Sequence, residues 1–494
     1  MKKFVTVIAA IALVFAGASV AYANMCARDN VPGATILYPF VHYNYTDPNV
    51  NTLFSVTNVS SEAVIVHFTL WTDYSAHVVD WNVVLSGYDV QTFSIRDILD
   101  TPGQLPSTGT QASDYEYANP DQIDGIGPVQ DYLNASVDTS TLAFRCNPTN
   151  HDSYPSFPPF PQNFKDLMQG LITASQTASR WHIDCNGNDT VYGDWFEARD
   201  TTDNSWMYLT ADVVWTCNRM FPDAVLNYWV DGAALNASGG QNGAQAMYDN
   251  VLMGDIFYIN DAQNFSEAIP AVSLEANRYF AFRTGTDQAP ITFYHQYVMG
   301  TGAGYSATSG DYREPLPTAW AFRYLNMGQA MSTKLRVFKR ATYVGSGNHD
   351  TLVWDNYNDA DVINQIPPTY IAADDTIPYT LFIWNEDEDA MLITGVRPPW
   401  SPSPGSCRVN LLPLETQEVD ISEFGVTFTS GWGLLVYPPS NNLTGDDWYQ
   451  VYVSTQHAAA GRYSAALEGT VLGNANCFSE QMLPGLWSSS MVIE

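Results

Sequence analysis

In the stretch TLFSVTNVSSEAVIVHFTLW, Thr52 to Trp71, the residues Phe54, Val56, Val64, Val66, Phe68 and Leu70 fall on even positions. Ser55, Thr57, Ile65, His67 and Thr69 take the odd ones. A period of two puts the even set on one inward face and leaves the odd set on a mixed or wet face. The polar run Asn58-Val-Ser-Ser-Glu-Ala63 between the two halves reads as a turn. The stretch therefore predicts an antiparallel hairpin on a buried core.

The same alternation, rich in Thr, Val, Tyr and Phe, predicts strands at Val79–Leu85, Gln91–Ile95, Met207–Trp215, Arg278–Thr284, Ile291–Val298, Thr333–Val337, Thr380–Trp384, Gly433–Val436 and Gln450–Ser454. Helical spacing is scarce. Phe164, Leu167, Met168, Leu171 and Ile172 fit one helix, with Asn163 as its cap. Ala244, Met247, Tyr248, Val251 and Leu252 fit another. Core packing is the default role for both stripes.

The chain also repeats itself. TLFIWNEDEDAMLITGV, Thr380 to Val396, echoes TLFSVTNVSSEAVIVHF in its Thr-Leu-Phe opening and its six-residue Asn-to-Ala turn. Farther on, VLSGYDVQTFSI is matched by LLPLETQEVDI, with Gln91 against Gln417, Phe93 against Val419 and Ile95 against Ile421. The reading is two related β-sandwich modules. The plainer alternative is two unrelated sandwiches sharing generic strand and turn grammar.

The FSVTN strand, polar turn, return strand and later x-Q-x-F-x-I strand resemble the immunoglobulin-like modules of bacterial envelope proteins. The whole chain resembles a family of uncharacterised secreted bacterial proteins whose N-termini read like ATILYPFVHYN…NTLFSVTN. That resemblance implies export and sandwich modules and brings no activity with it. The Cys…Trp…Cys signature of antibody domains is missing, so antibody-type ancestry is not implied.

The fold expected is mainly β: two immunoglobulin-like β-sandwich modules, a long insertion in the first, and a few short helices. Residues 1–23 read as a secretory signal peptide, with Lys2 and Lys3 ahead of an apolar stretch and Ala21-Tyr22-Ala23 as the cleavage site. The first module is expected over 24–261 with its insertion at about 97–205, and the second over 262–494. No later apolar run reaches the roughly 18 residues a membrane helix needs. The product is expected in the periplasm, at the cell surface or outside the cell.

Charge narrows the partners. The chain carries 20 Lys and Arg against 52 Asp and Glu, a formal net charge of −32. Such a surface repels nucleic acid. Aromatic residues at 13% and apolar residues at 46% speak against disorder. The six cysteines, Cys26, Cys146, Cys185, Cys217, Cys407 and Cys477, are an even set without a Cys-x-x-Cys pair. In an exported chain that suggests three disulfides, with fifteen pairings open and Cys407–Cys477 favoured.

Candidate chemistry is thin. DCNGND offers Asp184, Asn186, Asn188 and Asp189 as a calcium loop, since short oxygen side chains at alternate positions converge on one centre. It departs from the EF-hand form, with Asp189 in the glycine position and Trp195 in the twelfth. A second acidic cluster is Asp355, Asp359 and Asp361. A solvated turn is the commoner explanation of each. Lys334, Arg336, Lys339 and Arg340 form a basic cluster, and alternation puts Lys334 and Arg336 on one face. With so few other cations, an internal ion-pair patch is the better reading. No His-Glu-x-x-His, Gly-x-Ser-x-Gly or phosphate-cradling glycine loop is present. Fourteen Trp and 29 Tyr exceed what two modest cores need, and leave rings for sugars or protein surfaces.

The function expected is non-catalytic: a secreted or cell-envelope binding, adhesion or structural protein, with a protein or glycan partner at the cell surface. The alternatives are a secreted polysaccharide hydrolase with its site in the insertion, and a calcium-dependent carbohydrate-binding protein.

Overall fold

The computed structural model describes residues 31–44, 46–72, 77–100, 181–183, 189–191, 204–214, 246–276, 292–294, 313–340, 379–394, 412, 415–437, 450–459 and 461–473. The expected signal peptide, all six cysteines, the helix expected at 164–172, the strand expected at 278–284, the 355–361 acidic cluster and most of the expected insertion lie outside them.

The described chain is mainly β. Strands β1 (Thr35–Asn44), β2 (Val50–Asn58), β3 (Val64–Thr72), β4 (His77–Leu85) and β5 (Val90–Ser94) precede helix α1 (Ile95–Asp100). Next come β6 (Trp181–Ile183), β7 (Asp189–Val191), β8 (Asn204–Val214), β9 (Leu252–Asn260), β10 (Phe265–Pro270) and β11 (Val272–Leu274). The second series is β12 (Ala319–Leu325), β13 (Ser332–Arg340), β14 (Thr380–Asn385), β15 (Ala390–Thr394), β16 (Thr416–Asp420), β17 (Ser430–Val436), β18 (Gln450–Ala458), β19 (Ser464–Glu468) and β20 (Thr470–Gly473).

Four larger antiparallel sheets result, beside a small β6–β7 pair. The first series makes a five-stranded sheet, β11-β1-β8-β3-β4, and a four-stranded sheet, β10-β9-β2-β5. The second makes β20-β12-β17-β14-β15 and β19-β18-β13-β16. Strand for strand the two orders are the same. Each sheet pair is sandwich-like: Ile36, Tyr38 and Phe68 of one sheet share a core with Phe54, Val56 and Ile256 of the other. The ring of Phe54 lies between Tyr38 at 5.2 Å and Phe93 at 5.2 Å. Although they follow Asp261, β10 and β11 pair with β9 and β1.

The duplication reaches single side chains. Thr52 on β2 stands opposite Tyr258, and Thr333 on β13 opposite His457. The Thr52 hydroxyl accepts from the His42 amide at 3.0 Å, and the Thr333 hydroxyl from the Leu325 amide at 2.8 Å. Each bond ties the second strand of its series back to the end of the first. At the end of β5, the Ser94 hydroxyl accepts from the Asp97 amide and starts α1. At the matching end of β16, Asp420 caps the 3-10 turn Ile421–Phe424.

Three sequence expectations change, besides the strand expected at Ile291–Val298, which is a turn where it is described, at Phe293 and Tyr294. Thr52–Trp71 is not a hairpin, because β2 and β3 belong to opposite sheets and the 59–63 segment crosses between them. Asn58 organises that crossing, accepting from Ser60 N and donating to Glu62 O and Ser86 O. The even face does pack inward; the odd face stays half-buried on β2 but is dry on β3, where Ile65, His67 and Trp71 are buried. Second, the Thr380 block matches β3–β4, not β2–β3. β14 and β15 form a true hairpin, and Phe54 points inward where Phe382 points outward, so one tripeptide serves two opposite faces. The Gln91/Gln417, Phe93/Val419 and Ile95/Ile421 matches agree with the strand order. Third, Ala244–Leu252 is no helix where it is described. Ala246 bridges Val214, and the Val251 amide donates to Gly33 O at 3.1 Å. Pairing with neighbouring strands overrides a helical apolar spacing there.

Among the described residues, no helix is long and apolar enough to cross a membrane.

Candidate functional site

Two places concentrate chemistry: the joint between the sheet pairs, and the outward faces of the two five-stranded sheets.

At the joint, β13 presents Lys334, Arg336 and Phe338 on the face away from Leu335 and Val337, which lie in their own core. Arg336 donates from Nη1 to Glu267 on β10, from Nε to Glu418 at 2.9 Å, and from Nη2 to Gln456 at 2.9 Å. Its guanidinium carbon lies 4.2 Å from the Tyr258 ring centre and 4.9 Å from that of Phe40. Lys334 pairs with Glu418 at 2.6 Å. Beside this network, Thr416 donates to Pro39 O at 2.7 Å, and Phe338 meets Tyr208 edge to face at 4.9 Å. Burial alone would raise Glu418, but Lys334 and Arg336 outweigh it and hold its carboxyl at about 2. Burial raises Glu267, and the neighbouring Glu418 charge adds to that against the pull of Arg336. Lys334 and Arg336 of the basic cluster thus form the internal ion-pair patch that composition suggested, and it joins one sheet pair to the other.

The outward face of the first five-stranded sheet is buried and mixed: Leu37, Ile65, Trp71, Val84, Tyr208 and Val214 join a hydrophobic core with residues of the second series, and enclosed polar groups lie among them. Asp212 pairs with Arg313 at 3.2 Å with both side chains fully enclosed. It also accepts from Thr35 and from Tyr294. His67 Nδ1 and Asn82 Oδ1 are 2.9 Å apart. Trp71 donates to Thr210 at 3.0 Å and stacks on Tyr208, its cross-strand partner, at 5.7 Å. Buried polar groups are tolerable where they satisfy one another, and each contact named here is such a pairing.

The matching face of the second five-stranded sheet is apolar and partly open. Across it run the directly opposed residues Ala390, Trp384, Trp432 and Arg323. The next outward row is Leu392, Phe382, Leu434 and Ala321. Four residues beyond Tyr208 stands Asp212 opposite Thr35, and four beyond Trp432 stands Val436 opposite Ala319. The registers therefore coincide, and Trp384–Trp432 is the counterpart of Trp71–Tyr208. Its rings stack at 3.9 Å and 13°, with Phe382 on Trp384 at 5.6 Å. Leu434, Val436 and Ala319 are buried, but Phe382, Trp384 and Trp432 are half-buried and Leu392 is 50% exposed. An exposed Arg323–Glu386 ion pair at 2.6 Å borders this open end.

The close stack has a local cause in the run Ser430-Gly-Trp-Gly433. A Cβ on Gly431 would lie 1.8 Å from the Trp384 carbonyl oxygen, and one on Gly433 would lie 2.4 Å from the Phe322 ring. Glycine on both sides of Trp432 lets β14 and β12 close in on it.

Of the calcium candidates, Asp184, Asn186 and Asn188 lie outside the described residues, and Asp189 begins β7. Among the described residues, no three His, Cys, Asp or Glu side chains are grouped to share a metal ion. Glu386, Asp387 and Asp389 occupy the β14–β15 turn, where Asn385 Oδ1 accepts from the Asp387 and Asp389 amides. Two features escaped sequence reasoning: the Asp212–Arg313 pair, 101 positions apart, and the Trp384–Trp432 ladder. The flanking glycines of Trp432 were the only local signal for the second.

Comparison with family models, with curated proteins and with solved structures finds no match for this chain.

Proposed function

We propose that this chain is an exported, non-catalytic binding, adhesion or structural protein of the cell envelope or extracellular space, built of two immunoglobulin-like modules. The observation that carries the reading is the open aromatic end of the second five-stranded sheet, Phe382, Trp384, Trp432 and Leu392, where the counterpart of Trp384–Trp432 in the first, Trp71–Tyr208, is wholly buried. An apolar face left half-open at a site the fold otherwise encloses suits a partner. Buried carboxylates support it too. Asp212, Glu267 and Glu415 are engaged by Arg313, Arg336 and Tyr208, so they hold the scaffold together.

Export, three disulfides and calcium at Asp184, Asn186, Asn188 and Asp189 belong to the same reading. A glycan partner is its second form, favoured by the exposed Arg323–Glu386 pair at the open end, whose donors and acceptors suit hydroxyl recognition. The test is to probe glycan arrays and envelope proteins with the purified mature chain, with and without chelator. Binding lost in Leu392→Asp supports the reading. Turnover of a polysaccharide by the wild-type chain overturns it.

A further inference from the structure

We infer that the partner of the open aromatic end is a second copy of this chain, joined head to tail by its first sheet pair. The inference rests on the binding reading above and names its partner.

The argument starts from the joint inside the chain. There, the outward face of the four-stranded sheet β19-β18-β13-β16 meets the first sheet pair, and Phe338 closes over Tyr208, the counterpart of Trp432. The equivalent outward face in the first series belongs to β10-β9-β2-β5. It carries Phe257 at 38% exposure opposite half-buried Leu53, with half-buried Ile259 in the next row, and Val90 at 54% beyond the polar row Asp255, Ser55 and Thr92. Among the described residues, one pair of faces is thus used internally and one pair is left unspent: a delivering face on the first sheet pair and a receiving face on the second.

The two unspent faces are different surfaces at opposite ends of the strand series. Contact between them is heterologous, so each added copy leaves one of each open, and a row of copies follows. Stacking of Trp384 on Trp432 fits this occupant better than a sugar. Rings on adjacent strands that meet face to face at 3.9 Å and 13° stand upright on the sheet. They offer edges for interdigitation by side chains. Mutual repulsion at a net charge of −32 opposes the contact. Salt shortens the screening length from about 8 Å at 0.15 M to about 3 Å at 1 M, so association strengthens as salt rises.

The experiment is sedimentation of the purified mature chain over a range of concentrations and salt, beside Leu392→Asp, Phe257→Asp and their equimolar mixture. Both substitutions sit at exposed positions, and circular dichroism checks that each variant keeps its fold. Wild type is expected to grow with concentration, and more so at high salt. Each variant alone is expected to associate at least about tenfold more weakly. The mixture is expected to stop at a one-to-one dimer, because each partner supplies the one intact face the other lacks. A wild-type chain that stays monomeric throughout overturns the inference, and is the result if residues beyond Gly473 cover the face within one chain. Association lost in Leu392→Asp but intact in Phe257→Asp overturns it in favour of a two-fold contact between aromatic faces. Either failure leaves the glycan and protein-binding assay above to decide the broader reading on its own.

Discussion

Arg336 on β13 donates directly to Glu267 on β10, so one buried ion pair spans the two sheet pairs. A second carboxylate, Glu418, shares the same guanidinium, and Lys334 balances it. Positive charge in an acid-rich chain is spent at the place where two independently plausible cores must hold a fixed relation. Arginine suits it: the planar fork serves two carboxylates and an amide while its faces rest on Tyr258 and Phe40.

Replacing Arg336 by Met is expected to cost about 3–5 kcal/mol, since it leaves a buried carboxylate without its counter-charge. Glu267→Gln, which keeps shape and removes charge, is expected to cost less. Urea denaturation of both variants checks the order, and limited proteolysis of Arg336→Met should open the joint before either core.

Acid stability should follow two groups of opposite chemistry. Glu418 is held at about 2 by Lys334 and Arg336 against its burial. A carboxyl depressed in the folded state contributes stability above its unfolded value near 4.5, and that contribution drains away as pH falls from there toward 2. Burial lowers His457, with Arg323 adding to the effect. The folded state then prefers neutral imidazole, so its contribution is complete above about 6.5 and shrinks as pH falls below that value. His457→Gln is expected to flatten the unfolding midpoint between pH 7 and pH 5, and Glu418→Gln to flatten it only below about 4.5.

Thr52 and Thr333 should behave alike. Each hydroxyl caps a backbone amide of the preceding strand, and valine keeps the shape while stranding that amide. Thr52→Val and Thr333→Val are each expected to cost about 1–3 kcal/mol. Equal losses in thermal unfolding would express the duplication as energy; a null effect at one site would break the equivalence.

Gly431→Ala tests the tryptophan ladder without touching a ring. Its new methyl would sit on the Trp384 carbonyl, so β14 must move away from β17. Overpacking of this kind costs about 1–3 kcal/mol. Near-ultraviolet circular dichroism should lose the signal of the coupled Trp384–Trp432 pair while far-ultraviolet strand content persists.

Asp212→Leu removes the partner of an enclosed Arg313 and is expected to destabilise by about 3–5 kcal/mol. Asp212→Asn keeps one acceptor oxygen where Thr35 and Tyr294 use two, and should still lose less. Chemical denaturation of the two variants side by side separates the charge from the hydrogen bonds.

Much of the fold was legible along the chain, because a strand writes its period into consecutive residues. The inward set Phe54, Val56, Val64, Val66, Phe68 and Leu70 could be named from alternation alone, and so could the ion-pair role of Lys334 and Arg336, from the scarcity of other cations. Gln91, Phe93 and Ile95 found their true counterparts in Gln417, Val419 and Ile421. The Thr-Leu-Phe echo did not, since alternation states which residues share a face and is silent on which face turns inward. Only the tertiary structure decided that β2 and β3 part into opposite sheets, that Asp212 is neutralised by Arg313 from far along the chain, and that one aromatic pair is enclosed while its twin stays half-open. Those outcomes depend on what packs over each sheet. Coverage is set by groups distant in sequence, whereas periodicity is set by neighbours.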